Sequence, residues 1–580
     1  NVYADVTIIP ELKFKTSFAI DAGNSKAKHY TPSYIAEGKT SKGIAKLGQK
    51  NSIYWNSTNT LNYIKTFNDH SLNAMLGAEW QKSQIESFYT QGSGFANDNS
   101  KYDNISEATV YTSKSGFTGW QMESYMTRIN YSFKHKYSFT FTGRFDGSSR
   151  FGSDNKYAFF PSGAFAWRVT EEEFMKKQEI LSNMKLRLSY GSSGEQGINA
   201  YQTLSVLEPS LVYIGTNLQT GYFPTRAADP SLKWERTNQV NAGLDIGLLE
   251  NRLNLTLDYY YKRTKDLLYY KALPGSSGFV SMLKNMGSID NQGFEITLNA
   301  SVIQKKNFQW DLSINNSINR NKLISLGDGR EEIINPPGGV SGGDIKANPS
   351  ILKVGEPLGL FYGYISDGVI FDEAESKIAK EMGQVQYAPG ELKIRDIDND
   401  GKITTSDKTI IGNANPDFTG GMTNTFSYKG FQLDVSCEWV VGNDIMSYQH
   451  LANQRLTIGT NVTKDWYNKR WTPDRPSRVE PRSGYDVRAY ADVSYHVFDG
   501  SFFRINNITF SYTFPESILK RTKLGNLRIF ANLDNVYTFT KYPGWSPDVS
   551  VFNENVMGQG IDNASYPIPR TVSFGINVGF

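Results

Sequence analysis

The sequence contains a single cysteine, Cys437, among its 580 residues. One thiol cannot form an intramolecular disulfide and cannot supply the paired cysteines of a structural zinc site. The histidines are scattered and show no metal-ligand spacing, at positions 29, 70, 135, 450 and 496. The sequence therefore excludes a disulfide-stapled fold and a cysteine-based zinc centre.

Long apolar runs and an excess of one charge are also missing. No run of about 18 apolar residues could form a membrane helix, and the mean hydropathy is −0.46. The 61 basic residues nearly balance the 58 acidic ones, without a basic stripe, so nucleic acid is not an expected partner. Yet 13% of the residues are aromatic. A transmembrane β-barrel reconciles these facts, because only every second strand residue must be apolar.

Alternation of apolar and polar residues recurs along the chain. In the segment 572–580 every second residue is Val, Ile or Phe, and the residues between them are Ser, Gly or Asn. The same period occurs at 240–248, 253–261, 294–302 and 431–441. Each segment has about the 9–11 residues that a tilted strand needs to cross the hydrocarbon.

Connection lengths distinguish a barrel from a soluble sandwich, whose strands have the same period. Tight links are predicted at 134–136, 249–252, 304–307 and 428–430. Long polar segments lie between these hairpins, at 192–238, 264–290, 320–417, 443–503 and 541–569. This alternation of short and long links is typical of outer-membrane barrels. We therefore predict an all-β, antiparallel transmembrane β-barrel with about 16 strands in this chain.

Strand ends carry three further signals. The link 170–183 is too long for a tight turn, and Thr170 and Glu173 have capping-box spacing, so a small periplasmic helix is predicted. Aromatic residues at 259–261 and 502–503 fit interfacial girdles, although Tyr and Phe favour strands in any protein. Phe580 fits a last strand that closes the sheet.

The sharpest local motif is DIDNDGKITTSD at 396–407. Carboxylates at its positions 1, 3, 5 and 12 and a glycine at position 6 match an EF-hand calcium loop, with Asp in place of Glu at position 12. The expected calcium ligands are Asp396, Asp398, Asp400, Asp407, the Lys402 carbonyl and the Thr404 hydroxyl or a water that it holds. The alternative is an Asx-rich turn without a metal. No amphipathic helix pair flanks the motif, so a structural ion is expected rather than a calcium sensor.

Five stretches occur in a recognisable order, at 143–152, 234–239, 503–515, 527–548 and 566–571. Together they resemble the SusC/RagA family of TonB-dependent nutrient transporters. The resemblance implies a barrel of roughly 22 strands around an N-terminal plug, preceded by a TonB-contacting segment. No plug-like region is found, so residues 1–580 are expected to be the C-terminal part of the barrel, with 320–417 as a long extracellular loop.

The same resemblance implies active import across the outer membrane of a Gram-negative, Bacteroidetes-like bacterium. A SusD-like lipoprotein would close over the extracellular mouth and deliver an oligosaccharide or a peptide, and TonB would act through the plug. Outer-membrane lipid would surround the barrel, and transporter–lid pairs would assemble as dimers in some cases. No enzyme activity is implied.

Charged residues between outward apolar neighbours are expected to line the barrel interior. In lipid, a midplane Arg or Lys would cost about 2–4 kcal/mol. The expected lumen-facing residues are Arg128, Arg144, Lys185, Arg187, Asp245, Asp258, Glu295, Asp311, Asp434, Glu438 and Arg528. A mixed lining fits a neutral sugar or zwitterionic peptide better than an ion filter. Alternatively, these groups contact a plug.

Two other functions compete with the importer. A passive 16-stranded porin needs no plug and predicts that this chain alone conducts ions. An extracellular glycan hydrolase needs two carboxyl groups that face each other across a cleft, and it predicts solubility without detergent.

Overall fold

The computed structural model describes residues 1–334, 349–454, 461–483, 492–520, 524–549 and 558–580. The first fourteen strands are β1 (Val2–Ile9), β2 (Leu12–Thr31), β3 (Ile44–Phe67), β4 (His70–Ser93), β5 (Val110–Phe133), β6 (Tyr137–Ser148), β7 (Tyr157–Arg168), β8 (Leu181–Glu195), β9 (Val206–Ile214), β10 (Asn217–Arg226), β11 (Glu235–Leu248), β12 (Leu253–Lys265), β13 (Leu268–Ala272) and β14 (Ser281–Asn285).

The remaining described strands are β15 (Ser288–Lys305), β16 (Phe308–Ser325), β17 (Glu332–Ile334), β18 (Ser350–Lys353), β19 (Leu360–Tyr364), β20 (Ser366–Val369), β21 (Leu392–Ile394), β22 (Lys408–Asn413), β23 (Phe418–Tyr428), β24 (Phe431–Val441), β25 (Asp444–Ser447), β26 (Val497–Asp499), β27 (Phe502–Thr513), β28 (Asn526–Thr540), β29 (Ile561–Asp562) and β30 (Thr571–Gly579).

The described helices are short: α1 (Ala36–Lys39), α2 (Glu373–Glu381), α3 (Tyr448–Asn453), α4 (Lys464–Lys469) and α5 (Glu516–Leu519). Within the described ranges, none of them has the length and apolar character required to span a bilayer.

Seventeen of the described strands belong to one sheet, in which neighbours such as β3 and β4, β4 and β5, β15 and β16, and β23 and β24 are antiparallel. The sequence predicted about 16 strands, and the five alternating segments singled out there lie in β11, β12, β15, β24 and β30, except that Phe580 follows the end of β30. The tight links at 134–136 and 249–252 are confirmed, and the link predicted at 428–430 is one residue shorter, because β23 continues to Tyr428. The link predicted at 304–307 is shorter than expected, because β15 continues to Lys305 and β16 begins at Phe308.

The prediction of a small helix within 170–183, capped by Thr170, is wrong. Two 3₁₀ turns, Val169–Glu171 and Glu173–Met175, take its place, and β8 begins at Leu181. The Thr170 side chain caps neither turn. Its Oγ1 instead accepts a 3.4 Å hydrogen bond from the backbone N–H of Met184. The apparent capping box thus reflects a tie to the next strand.

Contacts divide the chain into two units, and the first comprises 1–167, 188–238 and 265–285. In this unit β1 to β7 pair with one another in sequence order. Short links of two or three residues, 10–11, 68–69 and 134–136, join strands at one end. The links at the opposite end, 32–43 and 94–109, are much longer. We refer to these as the short-link and long-link ends.

Two rows that contain aromatic residues cross one face of β4 to β7 in this unit, and the second of them is aromatic only at β4 and β7. At the short-link end the register aligns His70, Phe133, Tyr137 and Trp167 side by side. Ten residues further along β4, Trp80 aligns with Glu123, Gly147 and Tyr157. Ten residues of a strand tilted by about 40° rise about 25 Å, the height of the apolar band of an outer-membrane barrel. The two rows therefore have the spacing of interfacial girdles.

The second unit comprises 168–187, 239–264 and 286–580. Its strands β15, β16, β23, β24, β27, β28 and β30 pair in that order. On one face an apolar row runs across six of them, Trp310, Phe426, Leu433, Phe510, Ala531 and Phe574. The residue next to each of these in sequence points to the opposite face. There the aligned residues form a polar row of Asp311, Thr425, Asp434, Thr509, Asn532 and Ser573.

The apolar faces of the strands are open to their surroundings. Leu76 is 62% exposed, Ile576 is 68% exposed and Phe574 is 81% exposed. The buried apolar clusters lie mainly among the connections instead, for example around Leu232 and Trp234 in the first unit and around Val369 and Leu451 in the second. A soluble sandwich would bury its strand faces and expose its connections. This arrangement is the reverse, and it requires an apolar surrounding.

Candidate functional site

Two groups of polar residues are candidates for a functional site. One is the calcium-type motif at 396–407, and the other is formed by the polar faces of the strands. The motif lies in the segment 320–417, which was predicted to be a long loop. Of this segment, residues 335–348 lie outside the described residues. The described part begins inside β16, which continues to Ser325, and then contains β17 to β22 and α2 besides loops. It is therefore a small folded insertion, and its strands β17, β18, β19 and β22 form a four-stranded sheet of their own.

The first three carboxylates of the motif converge. Asp396, Asp398 and Asp400 each offer an oxygen, and these oxygens lie within 4.8 Å of one another. Gly401 makes the turn with φ of +79°, in the left-handed region that glycine tolerates. Its N–H donates to Asp396 Oδ2 at 2.9 Å. Asp396 Oδ1 is shielded from solvent and has no hydrogen-bond partner among the described atoms.

The end of the motif closes the loop by hydrogen bonds. Asp407 is fully buried, and its carboxylate accepts from Ile397 N at 2.8 Å and from Thr404 N at 2.7 Å. Thr404 Oγ1 accepts from Ser406 N at 3.1 Å, which completes a capping box on the 3₁₀ turn Thr405–Asp407. Lys402 donates its backbone N–H to Asp400 Oδ1 at 2.7 Å. The structure thus gathers the first three expected ligands, while Thr404 and Asp407 hold the loop ends together.

The neighbouring carboxylates affect the pKa of Asp398. The N–H of Asp400 donates to Asp398 and by itself would lower its pKa. Partial desolvation and the negative charges of Asp400, Asp407 and Asp396 outweigh that hydrogen bond and raise the pKa of Asp398 above its ordinary value. A divalent cation bound by these carboxylates would relieve this repulsion.

Arg187 anchors the polar face where β8, β11 and β12 meet in the second unit. Its Nε donates to Asp245 Oδ2 at 3.0 Å and its Nη2 donates to Asp245 Oδ1 at 2.9 Å. Asp258 lies 3.0 Å from the same guanidinium. Gly243 provides the space, because a Cβ there would lie 2.4 Å from Asp258 Oδ1 and 2.6 Å from Arg187 Cζ.

A second network lies on the polar face of β4, β5 and β6 in the first unit. Arg144 donates from Nε to Asp146 at 2.7 Å and from Nη2 to Glu79 at 3.2 Å and to Ser124 at 2.9 Å. Ser124 and Asp146 are buried, with 1% and 5% exposure. Arg128 lies on the same face of β5, four residues from Ser124.

A third network uses β24, β27 and β28 in the second unit. The Arg504 guanidinium donates to Glu438 at 2.8 Å, to Asp548 at 3.3 Å and to Thr538 at 3.0 Å. The Arg504 side chain is only 6% exposed. A β-bulge between Ser436 and Cys437, opposite Ile505–Asn507, sets its register.

The other predicted interior residues also lie on polar faces. Asp434 accepts from Thr425 at 2.8 Å, and Asp311 accepts from Ser301 at 2.7 Å. Arg528 donates to Ser511 at 3.0 Å. Glu295 shares the polar face of β15 with Ser301, and Lys185 lies two residues from Arg187 in β8.

The sequence missed several members of these networks. Glu79, Asp146 and Arg504 are absent from the expected interior residues, although the period of two places Glu79 and Asp146 on the polar face. Arg504 needs the bulge, which no sequence pattern reveals.

Two of the five histidines, which are scattered in the sequence, lie next to each other in the structure. His450 and His496 meet with their Nδ1 atoms 3.2 Å apart. Burial lowers the pKa of His450 to about 4. Burial and the neighbouring His450 lower the pKa of His496 well below its ordinary value. Sequence spacing could not find this pair, because 45 residues separate its members.

Comparisons with known proteins agree with these features. The family model described as TonB dependent receptor-like, beta-barrel, matches residues 11–536. TonB-dependent receptor P3 of Formosa agariphila is 35% identical over 590 aligned residues, which cover 100% of this chain and 58% of that protein. TonB-dependent receptor SusC of Bacteroides thetaiotaomicron is 31% identical over 89% of this chain and 49% of its own length.

Among solved structures, that of the RagAB peptide transporter shares the fold with a TM-score of 0.83 at 24% identity. The alignment covers 100% of this chain and 61% of the matched chain. The chain thus spans between about half and three-fifths of the length of these relatives.

Proposed function

The chain belongs to the TonB-dependent receptor family of outer-membrane β-barrels, and we propose that it forms barrel wall in an energy-coupled nutrient importer. The family consists of receptors and transporters rather than enzymes. The observation that carries the proposal is the division of strands such as β4, β6, β24 and β27 into an exposed apolar face and a polar face held by ion pairs. Lipid accepts the first face, and a watery interior or a plug accepts the second.

The substrate in this proposal is an oligosaccharide or a peptide. Carboxylates and guanidinium groups alternate on the polar faces, as at Arg187 with Asp245 and at Arg504 with Glu438. A wall of mixed sign does not select an ion of one charge. One matched structure is described as that of a peptide transporter, which supports the peptide class.

The proposed partners are a SusD-like surface lipoprotein and TonB. The lipoprotein would close the extracellular mouth, at the long-link end. TonB would act through a plug, which the relatives' greater length can accommodate and to which no residue of this chain is assigned. Dimers of transporter–lid pairs are part of the same proposal. A passive 16-stranded porin is not favoured, because the matching family is TonB-dependent.

Uptake measurements separate the importer from the porin. Cells that express the protein should take up labelled oligosaccharide or peptide at a rate that falls to background when TonB is deleted or the proton gradient is collapsed. A porin would conduct the same solute at an unchanged rate after either treatment, and that result would overturn the proposal. Purification from outer membranes should also recover a stoichiometric lipoprotein.

For the motif at 396–407 we propose a structural calcium ion held by Asp396, Asp398 and Asp400, with the Lys402 carbonyl as a further ligand and Thr404 and Asp407 bracing the loop. Three converging carboxylates, the unpartnered Asp396 Oδ1 and the raised pKa of Asp398 support it. Hard oxygen donors are the ligands that calcium prefers.

Equilibrium binding of radioactive calcium to the intact protein tests this site. The variant Asp398→Asn with Asp400→Asn should lose one bound calcium per chain. Asp474→Asn, an exposed loop carboxylate outside the motif, should keep it. If both variants bound the same number of calcium ions per chain, the proposal would be wrong and the motif would be an Asx-rich turn without a metal.

A further inference from the structure

A groove lies on the outward face of the first unit, at the level where its apolar band ends. Its volume is about 380 Å³, and its lining includes Trp55, Trp80, Lys82, Glu123, Lys156 and Tyr157. Trp80 and Tyr157 belong to the aromatic row at the long-link end, and Trp55 and Lys82 are aligned two residues beyond it. The groove therefore begins at the membrane surface and opens away from the apolar band.

The face that carries the groove is the lipid-facing one. Leu76, Tyr125 and Ile129 lie on the same face of β4 and β5 as Trp80 and Glu123, and they are 62%, 47% and 43% exposed. The polar network around Arg144 lies on the opposite face of these strands, where Arg144 contacts Glu79 and Ser124. A solute inside the barrel would reach the Arg144 network and not the face that carries the groove. The groove is therefore separate from the transport route.

Charge in the groove is unbalanced. Lys82 and Lys156 contribute two ammonium groups, and neither is in an ion pair within the described ranges. Glu123 contributes one carboxylate, which already accepts a hydrogen bond from the Tyr157 hydroxyl. Two unpaired cations beside one occupied carboxylate favour an anionic ligand.

The aromatic walls define the rest of the ligand. Indole and phenol rings at a membrane surface prefer the boundary between acyl chains and headgroups. Flat rings next to hydroxyl and amide donors such as Gln121, which also lines the groove, suit the face of a sugar ring. A ligand that combines a phosphate, a sugar and acyl chains would satisfy the lysines, the tryptophans and the apolar band together.

We propose that this groove binds the phosphorylated sugar headgroup of an outer-leaflet glycolipid. The phosphate lies between Lys82 and Lys156, the sugar lies against Trp55 and Trp80, and the acyl chains follow the apolar face below. The bound lipid is an annular ligand that fixes the height of the barrel in the membrane.

Native mass spectrometry of the detergent-purified protein tests this site. The probes are monophosphoryl lipid A, its enzymatically dephosphorylated form and inorganic phosphate. The variant Lys82→Gln with Lys156→Gln removes both groove cations. The matched control, Lys26→Gln with Lys65→Gln, removes two lysines from β2 and β3 that do not line the groove.

The wild type and the control should retain the phosphorylated lipid, and the groove variant should bind it at least tenfold more weakly. Dephosphorylation of the lipid should weaken binding to the wild type by a similar factor. Equal affinity of the groove variant and the control would overturn the proposal. Displacement of the lipid by millimolar inorganic phosphate would also overturn it, because the site would then bind a free anion. Heat-induced mobility shifts on cold SDS gels verify that both variants are folded.

Discussion

Arg187 and Asp245 form a bidentate ion pair across neighbouring strands. Arg187 Nε donates to Asp245 Oδ2 at 3.0 Å, and Nη2 donates to Oδ1 at 2.9 Å. A guanidinium matches a carboxylate in this geometry better than any other side chain. Asp258 adds a third anionic contact at 3.0 Å. Similar networks around Arg144 and Arg504 show that the polar faces are built from fixed ion pairs.

Gly243→Ala should destabilise the protein by about 1–3 kcal/mol, the usual cost of forcing a group into occupied space. The new Cβ would lie 2.4 Å from Asp258 Oδ1 and 2.6 Å from Arg187 Cζ, so the ion pair must move. Thermal unfolding followed on cold SDS gels measures the effect. Gly163→Ala is the control, because a Cβ at this strand position has no atom within 4 Å. An equal loss in both variants would mean that the network does not need Gly243.

Arg504→Met and Asp548→Asn should have unequal effects. Arg504 is 6% exposed and neutralises both Glu438 and Asp548, so its loss should cost about 1–3 kcal/mol. Asp548 is 61% exposed, and its loss leaves the shorter 2.8 Å contact to Glu438 intact, so the cost should be below about 0.5 kcal/mol. Urea unfolding in detergent gives both values. A larger effect for Asp548→Asn would contradict this ranking.

Asp398→Asn should have opposite effects with and without calcium. The folded-state pKa of Asp398 is raised, so in a chelator its ionised form opposes folding above that pKa, and the penalty disappears as the pH falls through it. The variant should therefore resist local unfolding better than the wild type in a chelator at neutral pH. Near pH 3 the two should be equal. With calcium at neutral pH the wild type should be the more stable one. Hydrogen exchange of 396–407 reports each comparison, and no reversal on adding calcium would refute the metal site.

Acid should loosen the connection that contains His450 and His496. Their folded-state pKa values lie below the ordinary value of 6.5, with that of His450 at about 4. The unfolded connection therefore binds protons first, so its stability should fall as the pH drops from about 6.5 towards 4. The slope is at most about 1.4 kcal/mol per pH unit for each histidine. Hydrogen exchange of 444–453, corrected for its intrinsic pH dependence, measures it. His450→Gln should flatten the slope, and an unchanged slope would exclude this histidine.

The period of two predicted much of the fold. Segments such as 431–441 and 572–580 combine that period with tight links, so their strand character and faces follow from local chemistry alone. The upper parts of β3, β4 and β5 were not predicted. Beyond Trp80, the lipid-facing side of β4 carries Lys82, Gln84 and Glu86, and such positions have no hydrophobic contrast.

Long-range structure accounts for the other differences. Residues 206–226 form a hairpin of β9 and β10 within a segment predicted to be polar loop, and its pairing lies outside the main sheet. The carboxylate motif at 396–407 was visible because its acidic residues are close in sequence. The Arg504 network and the His450–His496 pair depend on residues that are distant in sequence, which a single sequence does not bring together.

Side-chain environment along β6 tests the central claim most directly. In a Cys437→Ser background, spin labels placed one at a time at 138–142 can be probed in lipid bilayers with oxygen, which enters the membrane, and with a water-soluble nickel chelate. Labels at Phe139 and Phe141 should collide mainly with oxygen, and labels at Ser138, Thr140 and Thr142 should be shielded from it. Equal oxygen accessibility at all five positions would contradict the assignment of alternate residues to lipid.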